Sequence, residues 1–364
     1  MSVATKTHAR RPKGFALGFD RFSGVYLWIL FIAVFGIWTP SEFLTMSTLH
    51  SVASTEAVTG MVALAVLIPL AGGLYDLSVG ATANVTGILV VVMMNNHHWA
   101  MVPAIILALV VGIVIGIANA TVVVWLRVNS FIATLGMSSI LAAVLVIVSG
   151  DASPTPPLST AWNNLTQTTV GGFQVIVIYL LVLAVILWWF MAHTPAGRYL
   201  YAIGGNAEAA RLSGVRVNRW SAMALILSSG IAGLAGVLFT SQGGPSLDFG
   251  PELLLPAFAA AFLGSTQFYP GKFNVWGTLL AIYVLATGVQ GLELVSGAAW
   301  LSEMFNGVAL IIAVAMSVNR GRPGTRRARA PTGASGVSPP DIGTAATEAD
   351  QAPQMQVSAS HRDG

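Results

Sequence analysis

The sequence predicts an all-α, polytopic integral membrane protein with about ten transmembrane helices and both termini on the cytoplasmic side. Three observations carry that expectation. Only 31 of 364 residues are charged, 9%, where a soluble domain carries roughly 25%, so the chain has too few charges to cover a water-facing surface. With 55% hydrophobic residues and a mean hydropathy of +0.75, apolar runs of near-spanning length recur along most of the sequence. All seventeen Lys and Arg residues fall on one side of the map those runs define. Soluble enzymes and disordered polymers are excluded by this composition. The absence of cysteine excludes a disulfide scaffold and thiol redox chemistry.

In chain order the expected spans are Gly24–Trp38, Ala57–Gly73, Ser78–Met94, Met101–Leu126, Phe131–Ser149, Phe173–Met191, Ser221–Ser241, Leu255–Gly264, Phe273–Leu292 and Ala298–Val318. The first and eighth are short for a full crossing, and eight spans would keep the same orientation. The first follows basic residues as a signal peptide does. No small-residue cleavage site follows Trp38, so it reads as a retained anchor. With both tails inside, the inner segments hold Lys6 to Arg21, Arg127, the group Arg198, Arg211, Arg216 and Arg219, Lys272, and Arg320 to Arg362. The outer loops near 39–56, 95–100, 150–172, 242–254 and 293–297 hold neither Lys nor Arg. The organisation is therefore a basic tail over 1–21, a membrane domain over 22–319 with a cytoplasmic loop at 193–220, and a tail over 320–364. That last tail, rich in Pro, Gly, Ala, Ser and Thr, is expected to be disordered, with its arginines near anionic headgroups or serving only to fix topology. A pI near 9.4 thus reflects topology and not nucleic-acid binding.

Soluble-enzyme signatures fail on inspection. Gly264 to Lys272 has the wrong spacing for a phosphate-binding loop, and Phe273 stands where the Ser or Thr that holds magnesium is needed. His97-His98 lacks a neighbouring carboxylate or Cys and reads as surface histidine, so no metal and no cofactor is expected. Much of the glycine reads as helix packing. Gly112, Gly116 and Ala120 repeat at i+4 on one face, letting two backbones approach.

Asp76 is the only charge between Glu56 and Arg127. A carboxylate at mid-bilayer costs about 2.5–3.5 kcal/mol, so it needs a compensating environment. Two roles fit. It caps the helix beginning near Ser78 from a Gly-flanked turn, or it lines a polar route through the bundle. The loop 193–220 is longer than a turn requires. Within it Asn206 is an N-cap, Glu208 suits the first turn of a helix, and Gly214 ends it. Ala209 and Ala210 give that short surface helix a low profile for another protein's groove, with Glu208 and Arg211 as polar anchors; the alternative is a connecting loop held inside by its arginines.

Four stretches of this sequence resemble the membrane permease subunits of bacterial ATP-binding-cassette (ABC) importers of the ribose and monosaccharide type. They are Tyr75-Asp76-Leu77-Ser78-Val79-Gly80, Ser130-Phe131-Ile132-Ala133-Thr134-Leu135-Gly136, Gly197-Arg198 through Val215, and Gly230 to Leu238. Together they cover roughly 55–318. Glu208-Ala209-Ala210 followed by Gly214 matches the family's coupling signature. Three departures stand out: Tyr75 replaces the usual Ile, Ser265 to Pro270 replaces a Gly-rich turn, and Val217-Asn218-Arg219 replaces a proline ending.

The resemblance implies the ABC importer permease fold and no covalent chemistry in this chain. It implies ATP hydrolysis on separate cytoplasmic ATPase subunits, an extracytoplasmic solute-binding protein, and a second permease copy completing the channel for a sugar-like substrate. ATPase coupling is then expected at Gly204, Gly205, Asn206, Glu208, Ala209, Ala210, Arg211 and Gly214. Asp76, Ser78, Asn84, Phe131 and Thr134 are expected at the pathway or its gates, with Gln290 and Glu293 near the outer end of the ninth span. Two other classes compete. A proton-coupled secondary transporter needs an ionisable relay in the membrane, for which only Asp76, Glu293 and Glu303 are available. A membrane enzyme acting on lipid-linked substrates needs clustered carboxylates or histidines, and no such cluster is present in the sequence.

Overall fold

The structure, a computed structural model, describes residues 19–298 and 300–321. Every one of the ten expected apolar segments lies on a helix. In order, α1 (Phe19–Trp38) is followed by a short α2 (Pro40–Phe43), then α3 (Met46–Ala71), α4 (Val79–Asn95) and α5 (Met101–Ala120). A π-helical turn, Thr121–Trp125, extends α5, and α6 is Ser130–Ser149. Then come α7 (Thr160–Gln167), a two-stranded hairpin of β1 (Thr169–Val170) and β2 (Phe173–Gln174), and α8 (Val175–His193). The chain continues through α9 (Pro195–Gly205), α10 (Ala207–Leu212), α11 (Val217–Gly243), α12 (Phe249–Gly264), α13 (Val275–Ser296) and α14 (Trp300–Gly321).

Among the described residues, seven helices are long and apolar enough to cross a membrane, and three apolar helices are shorter. The seven sort by depth in the bundle. Within their most apolar stretches α3, α11 and α13 bury 72%, 61% and 56% of residues, whereas α6 and α14 bury 17% and 6%. The short α4 and α12 belong with the inner set, since α11 packs on α3, α4 and α5 while α12 packs on α3, α13 and α14. Helices that are apolar all round are enclosed by other helices. Those with one small-residue face leave the remainder to lipid.

The packing glycines do what their spacing predicts. A Cβ at Gly116 would lie 2.7 Å from Ile226 Cα, and one at Gly112 would lie 3.1 Å from Ser229 O and 3.3 Å from Gly233 Cα. The α5 and α11 backbones thus touch along that stripe. Gly80 and Gly250 approach each other equally closely, each occupying the space a Cβ on the other would need.

Several boundaries differ from expectation. The sixth span starts at Val175 and not Phe173, because Gly171 and Gly172, at φ 61° and 90°, make the two-residue turn of a hairpin in which Thr169 pairs with Gln174. The outer loop 150–172 contains α7, anchored by the fully buried Trp162. The eighth span begins at Phe249, six residues before Leu255. Pro251 and Glu252 occupy its first turn, where neither breaks a helix and the acid favours the dipole. Finally, Gly204 and Gly205 end α9 and do not belong to the helix after Asn206. The tails expected at 1–21 and 320–364 lie almost wholly outside the described residues.

Candidate translocation and coupling sites

The turn between α3 and α4 is built from polar side chains. Ser130 Oγ accepts the Tyr75 N–H at 3.1 Å, and Thr134 Oγ1 accepts the Leu77 N–H at 3.0 Å, so the first turns of α6 clasp the segment. Asp76 is fully buried. Its Oδ1 accepts from the Ser78 amide at 3.1 Å and the Ser78 hydroxyl at 2.7 Å. The same hydroxyl accepts from Asn119 Nδ2 of α5 at 2.8 Å, so three elements are tied to one carboxylate oxygen. Asp76 Oδ2 has no hydrogen-bond partner, and Ser228 of α11 stands close to the carboxylate without reaching bonding geometry. Among the described residues the one ion pair is Arg211 with Glu208, far from this turn in sequence.

Asn84 sits one turn further along α4. It is buried, and its Nδ2 donates to Leu247 O. Leu247 belongs to 244–248, the non-helical stretch between α11 and α12. Its side chain packs against the cluster of Val85, Ile88, Ile115, Leu141 and Leu145. The far end of α4 is marked by Asn95 Nδ2, which donates to Thr155 O at 2.6 Å in the outer loop. Eleven residues separate Asn84 from Asn95, about 16 Å along a helix, so 244–248 dips well into the bundle. The result is two short helices, α4 of 17 residues and α12 of 16, whose N-terminal ends meet. At 1.5 Å per residue neither fills a bilayer core of about 30 Å. Non-helical backbone at membrane depth is tolerated only inside protein or beside a water-filled cavity. Asp248, exposed beside the start of α12, is suited only to the second of these.

The remaining candidates scatter. Phe131 is half exposed on α6 and meets Tyr75 edge-on at 6.4 Å. Gln290 lines an apolar cavity of 300 Å³ with Trp28, Phe43 and Leu49. Glu293, exposed near the end of α13, accepts from Ser302 Oγ at 2.7 Å. Thus Asp76, Ser78 and Thr134 come together, Asn84 faces the 244–248 segment, and Gln290 and Glu293 are elsewhere. The 244–248 segment escaped the sequence reading. Its signal was present in Gly243-Gly244-Pro245-Ser246 next to a short apolar segment, the mark of a discontinuous helix.

On the other face, Thr194 Oγ1 accepts the Gly197 N–H at 3.4 Å and starts α9. Pro195 fits its first position. Tyr201 Oη donates to Phe273 O at 2.6 Å, and burial pushes its pKa up to about 12. Gly204 presses against the carbonyl of Ala71, so α9 abuts the end of α3. Asn206 Oδ1 then accepts the Ala209 N–H at 2.9 Å, capping α10, and Gly214 leaves it at φ 85°. Ala210 is buried and not part of the outward surface, because its side of α10 turns toward the bundle. The outward surface is Glu208, Ala209, Arg211 and Leu212, the last 82% exposed.

A family model described as branched-chain amino acid transport system / permease component matches residues 48–314, and the chain belongs to that family of ABC importer permeases. It is similar to the D-allose transport system permease of Escherichia coli (strain K12), at 29% identity over 86% of this chain and 96% of that one. It is also similar to autoinducer 2 import system permeases. The protein of Salmonella choleraesuis (strain SC-B67) is 31% identical over 80% of this chain and 84% of that one. The Photorhabdus laumondii protein is 30% identical over 80% and 89%. No solved structure matches. The chain is therefore a multi-pass inner-membrane transport subunit and not an enzyme. Family membership brings an ATPase subunit and a solute-binding protein as partners, and it sets aside a proton-coupled transporter.

Proposed function

We propose that two copies of this chain form the pathway of an importer for a sugar or sugar-like solute, each crossing the membrane ten times with both termini cytoplasmic. ATP binding and hydrolysis on the partner subunits are transmitted through α10, and the pathway alternates between outward and inward access. The meeting of the α4 and α12 N-terminal ends carries this reading, because paired discontinuous helices are where transporters place their solute. The polar groups gathered there include the amide and hydroxyls of Asn84, Thr82 and Ser246 beside the Asp248 carboxylate, a mainly hydrogen-bonding set that suits a hydroxylated solute. Relatives named for D-allose and autoinducer 2 point to the same solute class. Asp76 acts from beneath, holding the turn that launches α4.

The absence of cysteine makes the native chain a ready background for labelling. Ser246→Cys in the assembled complex is expected to react with a membrane-impermeant maleimide, more slowly while D-allose is being transported. A Ser246→Cys protein unlabelled from both sides of the membrane would overturn the placement of the pathway.

A further inference from the structure

We infer that the cytoplasmic end of α11 carries a binding site for one anionic phospholipid, formed by an arginine-lined cavity that opens into an apolar groove. The orientation rests on the proposed topology. The site rests on two adjoining cavities. The first, 660 Å³, is bordered by Arg127, Arg211 and Arg216 and by the N-terminal residues Val217 and Asn218 of α11. Among the described residues neither Arg127 nor Arg216 has an acidic partner, and Arg211 has only the exposed Glu208. No side chain caps the start of α11, so the positive end of a 27-residue helix adds to the guanidinium groups of Arg127 and Arg216. The second cavity, 420 Å³, shares Asn218 and continues along α11 between Trp125, Ala222, Met223, Ile226 and Leu227. Arg219 stands at its rim.

The backbone adds an independent sign. Arg127 is held at φ 57°, a left-handed conformation that Gly or Asn would adopt more readily. It lies two residues beyond the π-helical turn, between the bonds from Leu126 N–H to Thr121 O and from Val128 N–H to Val122 O. Such turns concentrate at functional positions. A carboxylate from the ATPase subunit would occupy the arginine cavity alone. A phospholipid occupies both, with its phosphate among the arginines, its chain along the groove, and Trp125 at the headgroup level.

The test is native mass spectrometry of the isolated permease in detergent, after mixing with equal amounts of phosphatidylglycerol and phosphatidylcholine. One tightly retained phosphatidylglycerol per chain is expected, and Arg127→Gln with Arg216→Gln should weaken it about thirtyfold, at about 1 kcal/mol per arginine. Trp125→Ala should weaken both lipids alike. Equal retention of the two lipids by the wild-type chain would overturn the site, and needs no variant to fold. So would unchanged retention in the double variant, or displacement of the lipid by glycerol 3-phosphate alone at equal concentration, which would mark a site for a soluble anion. If the double variant keeps its lipid but no longer retains the ATPase subunit, the cavity receives a protein carboxylate and the inference fails. None of these outcomes requires transport, so failure here leaves the importer reading standing.

Discussion

Gly214 offers a test of coupling in which backbone strain and side-chain bulk predict opposite orders. It leaves α10 at φ 85°, and a Cβ built there meets nothing within 4 Å. Any cost of substitution inside this chain is therefore conformational. An ordinary L-residue loses roughly 1–2 kcal/mol in this region, Asn loses less, and a β-branched residue loses most. Since 1.4 kcal/mol is a factor of ten, Gly214→Ala is expected to reduce the correctly terminated α10 by roughly five- to thirtyfold relative to its unravelled form. Gly214→Val should reduce it further, and Gly214→Asn least. Uptake per ATP hydrolysed, measured in proteoliposomes holding the whole transporter, should then fall in the order Asn, Ala, Val, with the permease still present in the membrane. If Ala is instead the mildest and Asn and Val follow by size, the residue contacts the ATPase surface directly and the strain argument is refuted. Normal coupling in all three would remove α10 as the docking element.

Three further outcomes follow from the packing. Thr134→Val leaves the half-buried Leu77 N–H without its acceptor and should cost about 1 kcal/mol, read as a lower midpoint in a thermal-shift assay; Thr134→Ser should restore most of it. Leu212→Asp, at an 82% exposed position, should leave that midpoint unchanged while reducing co-purification of the ATPase subunit. Gly116→Leu must displace the Ile226 backbone, 2.7 Å from where its Cβ would sit; overpacking of this kind costs about 1–3 kcal/mol and should lower the melting midpoint more than Gly136→Leu, where a Cβ meets nothing within 4 Å.

What the sequence discloses follows the range over which each signal acts. Apolar length is local, and each of the ten segments is found on a helix. The Asn206 cap and the Gly214 exit are set by neighbours a few residues away, and both appear in the structure with the geometry their residue types prefer. Helix starts read less well where polar residues lead in. The α3 helix begins at Met46, eleven residues before the expected Ala57, because Thr45 caps it and its first turns face away from the bundle core. Burial of Ala210 depends on which side of a six-residue helix meets the bundle, which Ala209 and Ala210 alone do not encode. The contact of Asn84 with Leu247 spans 163 positions, beyond any periodicity. Only the shortness of the two segments hinted at it.

Helix α11 links the regions that the proposed mechanism requires to move together. It starts at Val217, just after the α10 loop, and passes Asp76 at Ser228. It meets α5 along Ile226 to Gly233 and α4 at Gly236, and ends where the chain turns down to Leu247 and Asn84. Its 27 residues are about 40 Å of helix, long enough to reach from one membrane face to the other. Where it meets Gly112 and Gly116 of α5, and where its own Gly236 meets Ala83 of α4, the contact reaches backbone atoms, so sliding at those points has little soft side chain to absorb it. Packing of this kind favours discrete arrangements over continuous deformation. A displacement of α10 by the ATPase subunits would therefore reach the α4–α12 junction as movement of a whole helix. Asp76 holds the turn in place beside that moving helix. Its Oδ1 holds α4 and α5 through Ser78, while Oδ2 faces α11 without a bond. The turn is thus hydrogen-bonded to α4, α5 and α6, whereas α11 only brings Ser228 close to the carboxylate.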